Sequence, residues 1–221
     1  MKKILYNLTL VMLVFFVSCE GESTGDVSRI TFFNDIELVG AEIFIVEQGS
    51  SYSEPGAIAS EAETDVTDQI VISGVVDTSS SGHYLITYNI ANKDGFEKSI
   101  TRHVFVLPTD RSKSEDYVGT YTGDVSNGTF SDATNISHLG DGLYYADDFI
   151  GGRYVQGRGL PPIYKITAYF YVSGDGTTYE ALLTDSPWGP WGVLNPTLNG
   201  TTFTHDLQSG TFQTPVVLIK Q

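Results

Sequence analysis

Apolar and polar residues alternate with a period of two over long stretches of this chain. One such stretch runs from His83 to Ile90 and another from Tyr164 to Val172. The side chains on one face are Tyr84, Ile86, Tyr88 and Ile90 in the first stretch, and Tyr164, Ile166, Ala168, Phe170 and Val172 in the second. A period of two is that of a β-strand with one buried face. The pattern therefore predicts an all-β protein.

Short strands are predicted throughout residues 30–107, which we expect to form one domain. They are Ile30–Phe33, Glu42–Val46, Gln69–Val75, His83–Ile90 and Ser99–Leu107, and the turn sequence Asn92–Gly95 joins the last two. Strands of this length and spacing, without helical periodicity, are typical of an antiparallel sandwich.

The turn residues of this range also resemble a known family. Glycine-containing turns recur in register with the strands at Gly49–Gly56, Gly74–Thr78 and Gly82–Tyr84. This series resembles the bacterial immunoglobulin-like modules found as spacers in surface and secreted proteins. The resemblance implies an immunoglobulin-like β-sandwich that serves as a stalk and carries no site of its own.

A second antiparallel β domain is predicted from residue 117 to residue 221. Tight turns are indicated at Asn127-Gly128, Ser173–Gly176 and Asn199-Gly200, and Val216–Ile219 forms a terminal strand. About eight strands in this length suit a small barrel or a two-sheet roll. Residues 108–116 are charged, contain proline and lack apolar periodicity, so we interpret them as the linker between the domains.

The first 29 residues predict how the protein is attached. Lys2 and Lys3 precede an apolar run that ends at Cys19, the single cysteine of the chain. The run is shorter than the roughly 20 residues of a membrane-spanning helix and is typical of a signal peptide, here residues 1–18. Phe16–Cys19 resembles a bacterial lipobox, which implies acylation of Cys19. The alternative is an ordinary signal peptide with an unmodified thiol. Residues 19–29 are expected to form an acidic, flexible tether.

The net charge of the chain excludes two classes of binding partner. The chain carries 27 acidic and 12 basic residues, a net charge of −15. This excess excludes nucleic acid, whose binding depends on lysine and arginine, and excludes a polybasic membrane-binding face. Acyl chains on Cys19 would then supply the contact with the membrane.

The second domain also shows a family resemblance, carried by Gly119–Gly123, Gly140–Tyr145 and Phe149–Tyr154. This order resembles the C-terminal domain of two-domain Bacteroidetes lipoproteins encoded near starch-utilisation-type glycan transporters. Together with the stalk and the lipobox, it implies a lipid anchor in the outer membrane, exposure at the cell surface and a neighbouring transporter complex.

No catalytic motif is present, and no cofactor is expected. The sequence lacks a Gly-x-Ser-x-Gly elbow, a His-Glu-x-x-His pair and a phosphate-binding loop. The histidines are too dispersed in sequence to predict a metal site: they are His83, His103, His138 and His205. Asp147-Asp148 could supply one carboxylate of a glycosidase pair, but we interpret it as a solvated turn. Glu61, Glu63, Asp65 and Asp68 could supply oxygen ligands to calcium, although the sequence has no Asp-x-Asp-x-Asp-Gly loop.

The loop Ser186–Gly192 is the best candidate site because it holds both tryptophans of the chain, Trp188 and Trp191, with two prolines and two glycines. An exposed indole would offer a flat apolar surface to the C–H face of a sugar. Alternatively both rings fold inward, since tryptophan is usually buried. Tyr144, Tyr145 and Tyr154 form a second aromatic cluster, with Phe149, to which the same two interpretations apply.

These observations predict a non-catalytic, surface-anchored lipoprotein that binds a polysaccharide or assists an outer-membrane glycan uptake system. Two alternatives stay open: a structural or adhesive surface protein without a small ligand, and a glycan hydrolase without a recognisable motif.

Overall fold

The computed structural model describes residues 30–221 and consists mainly of β-strands. No helix within these residues is long and apolar enough to cross a membrane. The predicted signal peptide, Cys19 and the acidic tether lie outside the described residues. As predicted, the fold is all-β, with an immunoglobulin-like sandwich followed by a second antiparallel domain.

The sandwich is built from seven strands. They are β1 (Asn34–Leu38), β2 (Ile43–Glu47), β3 (Ala57–Glu61), β4 (Thr64–Asp65), β5 (Val71–Ser73), β6 (Gly82–Ala91) and β7 (Glu97–Leu107). One sheet has the order β1-β3-β4 and the other the order β2-β7-β6-β5. All pairs are antiparallel except β2 with β7, which run parallel, so the prediction of a purely antiparallel sandwich is wrong for that pair.

Two predicted strands are displaced in the structure. No strand forms over Ile30–Phe33; β1 begins at Asn34, which pairs with Glu61, the last residue of β3. The strand predicted over Gln69–Val75 is shortened to β5, because a 3-10 helix occupies Thr67–Gln69. The Asp65 carboxylate accepts the backbone N–H of Thr67 at 2.9 Å and starts that turn.

The alternation of β6 sets the core of the sandwich. Ile86, Tyr88 and Ile90 are buried, as the pattern predicts, and they pack with Val104 and Val106 of β7. A period-two strand buries one face in this way when a second sheet covers it.

A fully buried arginine crosses this core. Nε of Arg102 donates to Glu54 at 2.8 Å, and its Nη2 donates to the carbonyl oxygens of Val39 and Gly56 at 2.9 and 3.0 Å. Glu54 also accepts from the hydroxyls of Tyr52 and Tyr88. A buried charge is tolerated when it is paired and hydrogen-bonded in this way.

The second domain is an up-and-down barrel, one of the two predicted architectures. Its strands are β8 (Gly119–Val125), β9 (Gly128–Gly140), β10 (Leu143–Ala146), β11 (Thr167–Val172), β12 (Tyr179–Asp185), β13 (Gly192–Asn199), β14 (Thr202–Ser209) and β15 (Phe212–Lys220). The sheet order is β12-β11-β10-β9-β8-β15-β14-β13, so β15 returns to pair with β8.

No continuous ladder joins β12 to β13, and these two strands are connected by hydrogen bonds near each of their ends. Leu198 N–H donates to Thr177 O at 2.8 Å, and the Thr184 hydroxyl joins both N–H and C=O of Trp191 at 2.7 Å. A four-residue helix, α1 (Val155–Arg158), and a 3-10 helix at Pro162–Tyr164 lie in the β10–β11 connection, and a further 3-10 helix at Glu115–Tyr117 precedes β8.

Aromatic rings fill the barrel. Phe170 stacks with Tyr144 and Phe149 at ring-centroid distances of 5.6 Å, and Phe203 meets Tyr179 edge-on at 5.2 Å. Ile166, Ala168, Phe170 and Val172 are all buried, as their alternation predicts. The interior is therefore a packed core, and ligands must be sought on the outside or at the ends of the barrel.

Side chains of the sandwich and the barrel share a small apolar cluster. Phe105 and Leu107 of β7 are buried with Leu143 of β10, and Tyr169 stacks on Phe105 at 5.0 Å. Within the predicted linker, Arg111 is buried; its Nε donates to Asp141 O at 2.6 Å, and its guanidinium pairs with Glu47 at 3.3 Å.

Candidate functional site

Four connections between barrel strands meet at one end of the barrel. Because consecutive strands are antiparallel, the turns after β8, β10, β12 and β14 all lie at this end. The loop Ser186–Trp191, which joins β12 to β13, is among them, and we call this end the tryptophan end. The residues of the predicted linker lie at the opposite end, where Arg111 bridges to Ser173 in the β11–β12 turn.

A pair of glycines lets the β10–β11 connection cross the tryptophan end. Gly151 and Gly152 have φ angles of +62° and +79°, which L side chains rarely adopt. A Cβ atom built on Gly123 of β8 would lie 2.3 Å from the carbonyl oxygen of Gly151. This close approach of the two backbones seats the β10–β11 connection against β8.

Trp188 is the exposed member of the tryptophan pair. Its side chain is 47% exposed, and its ring lies 4.9 Å from that of Tyr154 and 5.1 Å from that of Tyr164. The loop is held by Ser186, whose hydroxyl accepts the Trp188 N–H at 3.2 Å and donates to Gly189 O at 2.8 Å. Trp188 is therefore a supported aromatic surface open to solvent.

Trp191 faces the core, so its assignment as a platform residue is wrong. It is 7% exposed and packs edge-on against Phe212 and Tyr154 at 5.7 and 6.4 Å. Its indole N–H donates to the Ser186 hydroxyl at 3.2 Å. The backbone bonds to Thr184 draw it inward, because they close the seam of the barrel at this point.

The predicted tyrosine cluster is divided by the structure. Tyr144 is fully buried inside the barrel and has no surface for a ligand, which corrects that assignment. Tyr145 is half-buried on the outer face, where its ring lies 4.9 Å from Tyr169. Tyr154 is almost wholly buried and supports Trp188 from below, so it acts through that ring rather than as an open contact.

A groove of about 580 Å³ lies next to the loop that carries Trp188, because Ser186 and Pro187 of that loop form part of its wall. Its walls are Tyr145, Asp147, Pro162, Ile163, Lys165, Thr167, Asp185, Ser186 and Pro187. Lys165 pairs with Asp147 at 2.7 Å, and Asp185 is exposed. The groove offers carboxylate, ammonium and hydroxyl groups next to an aromatic ring, a combination suited to binding a polar ligand with apolar faces.

Asp148 is buried, so the prediction that Asp147-Asp148 is a solvated turn is wrong for this residue. It is 1% exposed; Oδ1 accepts the Ile166 N–H at 3.3 Å, and Oδ2 has no partner among the described residues. Burial raises the pKa of the Asp148 carboxyl to about 7, because water no longer solvates the charge. The Asp148 side chain therefore links the two ends of the β10–β11 connection through its hydrogen bond with Ile166.

The histidines and the acidic cluster do not converge on a metal site in the described part of the chain, where no group of three or more His, Cys, Asp or Glu is placed to hold an ion. His83 and His103 do meet on adjacent strands, Nε2 to Nδ1 at 2.9 Å. His205 is buried between the Tyr179 hydroxyl and Phe149 O, and burial lowers its pKa to about 4.

Two residues of the tryptophan end were not predicted from the sequence. Tyr164 was assigned to a strand face, but the 3-10 helix at Pro162–Tyr164 turns it toward Trp188. Arg153 carried no recognisable signal, and the structure buries it beneath Phe212 with its guanidinium 5.3 Å from the ring centre. The proline pair Pro161-Pro162 was the available signal for the helix.

Comparison with solved structures gives distant neighbours. Lipoprotein BT2262 from Bacteroides thetaiotaomicron aligns over 86% of this chain and 100% of its own, with 27% identity and a TM-score of 0.46. The CBM51-2 and INT domains of Clostridium perfringens ZmpB, solved in complex with GlcNAc, align over 85% of this chain and 43% of theirs, with 11% identity and a TM-score of 0.30. No curated protein matches the sequence significantly.

Family models account for both domains. Residues 36–106 match the model described as a bacterial surface protein Ig-like domain, and residues 110–220 match a model described as a C-terminal domain. The second match alone covers half of the chain, and the pair confirms the resemblance found in the sequence. The chain belongs to the family of two-domain bacterial surface proteins in which an Ig-like domain precedes this C-terminal domain.

Proposed function

We propose that the protein is a non-catalytic lipoprotein, anchored in the outer membrane through Cys19 and exposed at the cell surface, that binds polysaccharide at the tryptophan end of its barrel. The Ig-like sandwich then serves as the spacer between the anchor and the barrel. A neighbouring outer-membrane glycan transporter is the proposed recipient of the bound polymer.

The observation that carries the proposal is the exposed, supported ring of Trp188. Tyr154 and Tyr164 flank it at 4.9 and 5.1 Å, so little conformational freedom is left to lose when a sugar ring stacks on the indole. The adjoining groove offers Asp147, Lys165 and Asp185 as hydrogen-bonding partners for hydroxyl groups. Exposed large aromatic side chains beside polar groups are characteristic of recognition surfaces.

The carboxylates at this end support a binding role rather than a hydrolytic one. Asp147 accepts the Asn135 N–H at 2.6 Å and pairs with Lys165 at 2.7 Å, so both of its carboxylate oxygens already have partners within the protein. Asp148 has the raised pKa that a general acid needs, yet its carboxyl is enclosed behind the loop. Glycoside hydrolysis requires two carboxylates facing the same sugar.

Affinity electrophoresis of the soluble chain, residues 20–221, through gels that contain single polysaccharides tests the proposal. Retardation by at least one polymer, without release of reducing sugar from it, is the expected result. Release of reducing ends would favour the hydrolase. Unretarded migration through every polymer of a broad panel would leave a structural or adhesive role.

A further inference from the structure

Arg153 is a buried cation without a counter-ion in the described residues. It is 7% exposed, its Nη1 donates to the Ser126 hydroxyl, and its Nε is buried with no hydrogen-bond partner among residues 30–221. The guanidinium stacks over Phe212 at the tryptophan end, and no carboxylate of residues 30–221 forms an ion pair with it. Burying an unpaired charge is costly unless a partner arrives.

A second arginine at the same end forms no ion pair with a carboxylate of residues 30–221. Arg158, at the end of α1, is exposed, and its guanidinium is 5.3 Å from the ring centre of Tyr154, the residue that supports Trp188. The guanidinium of Arg153 lies over the ring of Phe212. The Phe212 ring contacts Trp191, and the Trp191 ring contacts Tyr154. The two cations therefore lie at the two ends of one series of ring contacts, in which Trp191 and Tyr154 are the buried members.

Within residues 30–221 the other two arginines are both paired with a carboxylate. Arg102 pairs with Glu54 at 2.8 Å and Arg111 pairs with Glu47 at 3.3 Å. Acidic residues outnumber basic ones by 27 to 12, so carboxylates are the most available partners in this chain. An anion-binding site requires arginines that are not already paired, because a carboxylate of the protein would compete with the ligand; both arginines of the tryptophan end meet this requirement within the described part of the chain.

We propose that the polysaccharide bound at the tryptophan end is acidic, with its carboxylate or sulfate groups paired to Arg153 and Arg158 while a sugar ring lies on Trp188. This inference rests on the proposed function and specifies its ligand class. A polymer that carries an anion on successive sugars can reach both arginines. Asp147 and Asp185 lie in the groove on the Tyr164 side, and Lys165 neutralises Asp147.

The first test compares polymers that differ in charge. Polygalacturonate and its methyl ester share a backbone, and dextran sulfate and dextran form a second pair in which the anion is a sulfate. At about 0.15 M salt the Debye length is roughly 8 Å, so the distant acidic residues are screened. Retardation by polygalacturonate or dextran sulfate, with at least tenfold weaker retardation by the neutral partner, is expected. The pair that responds identifies the anion.

The arginines are then tested individually. Arg158→Gln should weaken binding of the acidic polymer by about tenfold or more, the effect of losing one charge-assisted hydrogen bond. Lys113→Gln removes the same charge from an exposed position at the opposite end of the barrel and should leave binding unchanged.

Arg153→Met separates a binding role from a structural one. If Arg153 is kept for an external anion, the apolar variant should match or exceed the wild-type melting temperature without ligand and still lose binding of the acidic polymer. A lower melting temperature with intact binding would overturn the assignment of Arg153.

Equal binding of charged and neutral polymers, or of a neutral polymer alone, together with wild-type behaviour of Arg158→Gln, would overturn the acidic ligand and leave the proposed function standing. If no polymer retards the protein, the result would contradict both the acidic ligand and the proposed function.

Discussion

Trp188 and Trp191 lie three residues apart in one loop and have opposite environments. Trp191→Ala should lower the free energy of unfolding by about 3–5 kcal/mol, because it leaves a cavity between Phe212 and Tyr154. Trp188→Ala should change stability little and should remove about 1–3 kcal/mol of binding free energy, taking base stacking on aromatic rings as the analogue. Chemical denaturation and affinity electrophoresis of both variants check this. Equal loss of stability in the two variants would contradict the assignment.

Asp148 predicts a pH dependence of stability. Its pKa is raised from an ordinary 3.8 to about 7 in the folded protein, so folding favours the protonated form. The stability that this group contributes is present below about pH 4 and is lost as the pH rises through 7. Asp148→Asn, which retains an oxygen for the Ile166 N–H, should therefore be more stable than wild type at pH 8, by on the order of a few kcal/mol.

The advantage of Asp148→Asn should shrink toward pH 4, where wild type is already protonated. Asp185→Asn provides the control, since Asp185 is exposed in the same groove and its replacement should change stability little at any pH. Thermal melts at pH 4, 6 and 8 give the comparison. An Asp148→Asn variant that is less stable than wild type at pH 8 would show that the carboxylate is needed in its charged form.

Within a strand, the sequence predicts which residues face inward, because side chains alternate with a period of two. Within a loop, which has no such period, it does not predict which residues are buried. Ile86 and Phe170 are buried because the alternation of their strands fixes their face. Trp188, Asp148 and Arg153 stand in connections without a period, and their burial depends on how the loops meet at the end of the barrel. These contacts between loops bring together residues that are distant in sequence.

At the scale of elements, the linker and the shared apolar cluster determine how independent the barrel is. A fragment that begins at Thr109 keeps the barrel's own core and should unfold cooperatively. It should melt about 5–15 °C below the barrel of the full chain, because Leu143, Tyr169 and Leu183 lose their cover from β7.

A fragment that begins at Asp116 should melt lower still, because it also lacks Arg111 and its hydrogen bond to Asp141 O. Calorimetry of the two fragments beside the full chain makes the comparison. A fragment without a cooperative transition would mean that the sandwich and the barrel depend on a single core.

Strands with a clear period of two were predictable, whereas the short strands β1, β3 and β4 and the way the barrel closes were not. Period-two patterns locate β6 and β7 within two residues, and β11 begins three residues after the predicted start at Tyr164. The choice between a barrel and a roll depends on whether β15 returns to β8, a pairing between Val216–Lys220 and Tyr121–Val125 that no local pattern encodes. The parallel pairing of β2 with β7 was missed for the same reason.

For the molecule as a whole, attachment depends on Cys19. Cys19→Ala should move the protein from the membrane fraction to the soluble fraction, because the acyl chains are the proposed anchor and the net charge of −15 opposes adsorption to an acidic surface. Cell fractionation followed by a high-salt wash measures this. Full retention of the variant with membranes after the wash would rule out the lipid anchor.

Isothermal titration with a polysaccharide that retards the wild type is the most direct test of the central claim, that the tryptophan end binds glycan. We expect Trp188→Ala to bind about 5–150-fold more weakly, the equivalent of 1–3 kcal/mol. Val75→Ala, which removes an exposed apolar side chain from the Ig-like domain, should bind like wild type. Equal affinity of wild type and Trp188→Ala would contradict the account.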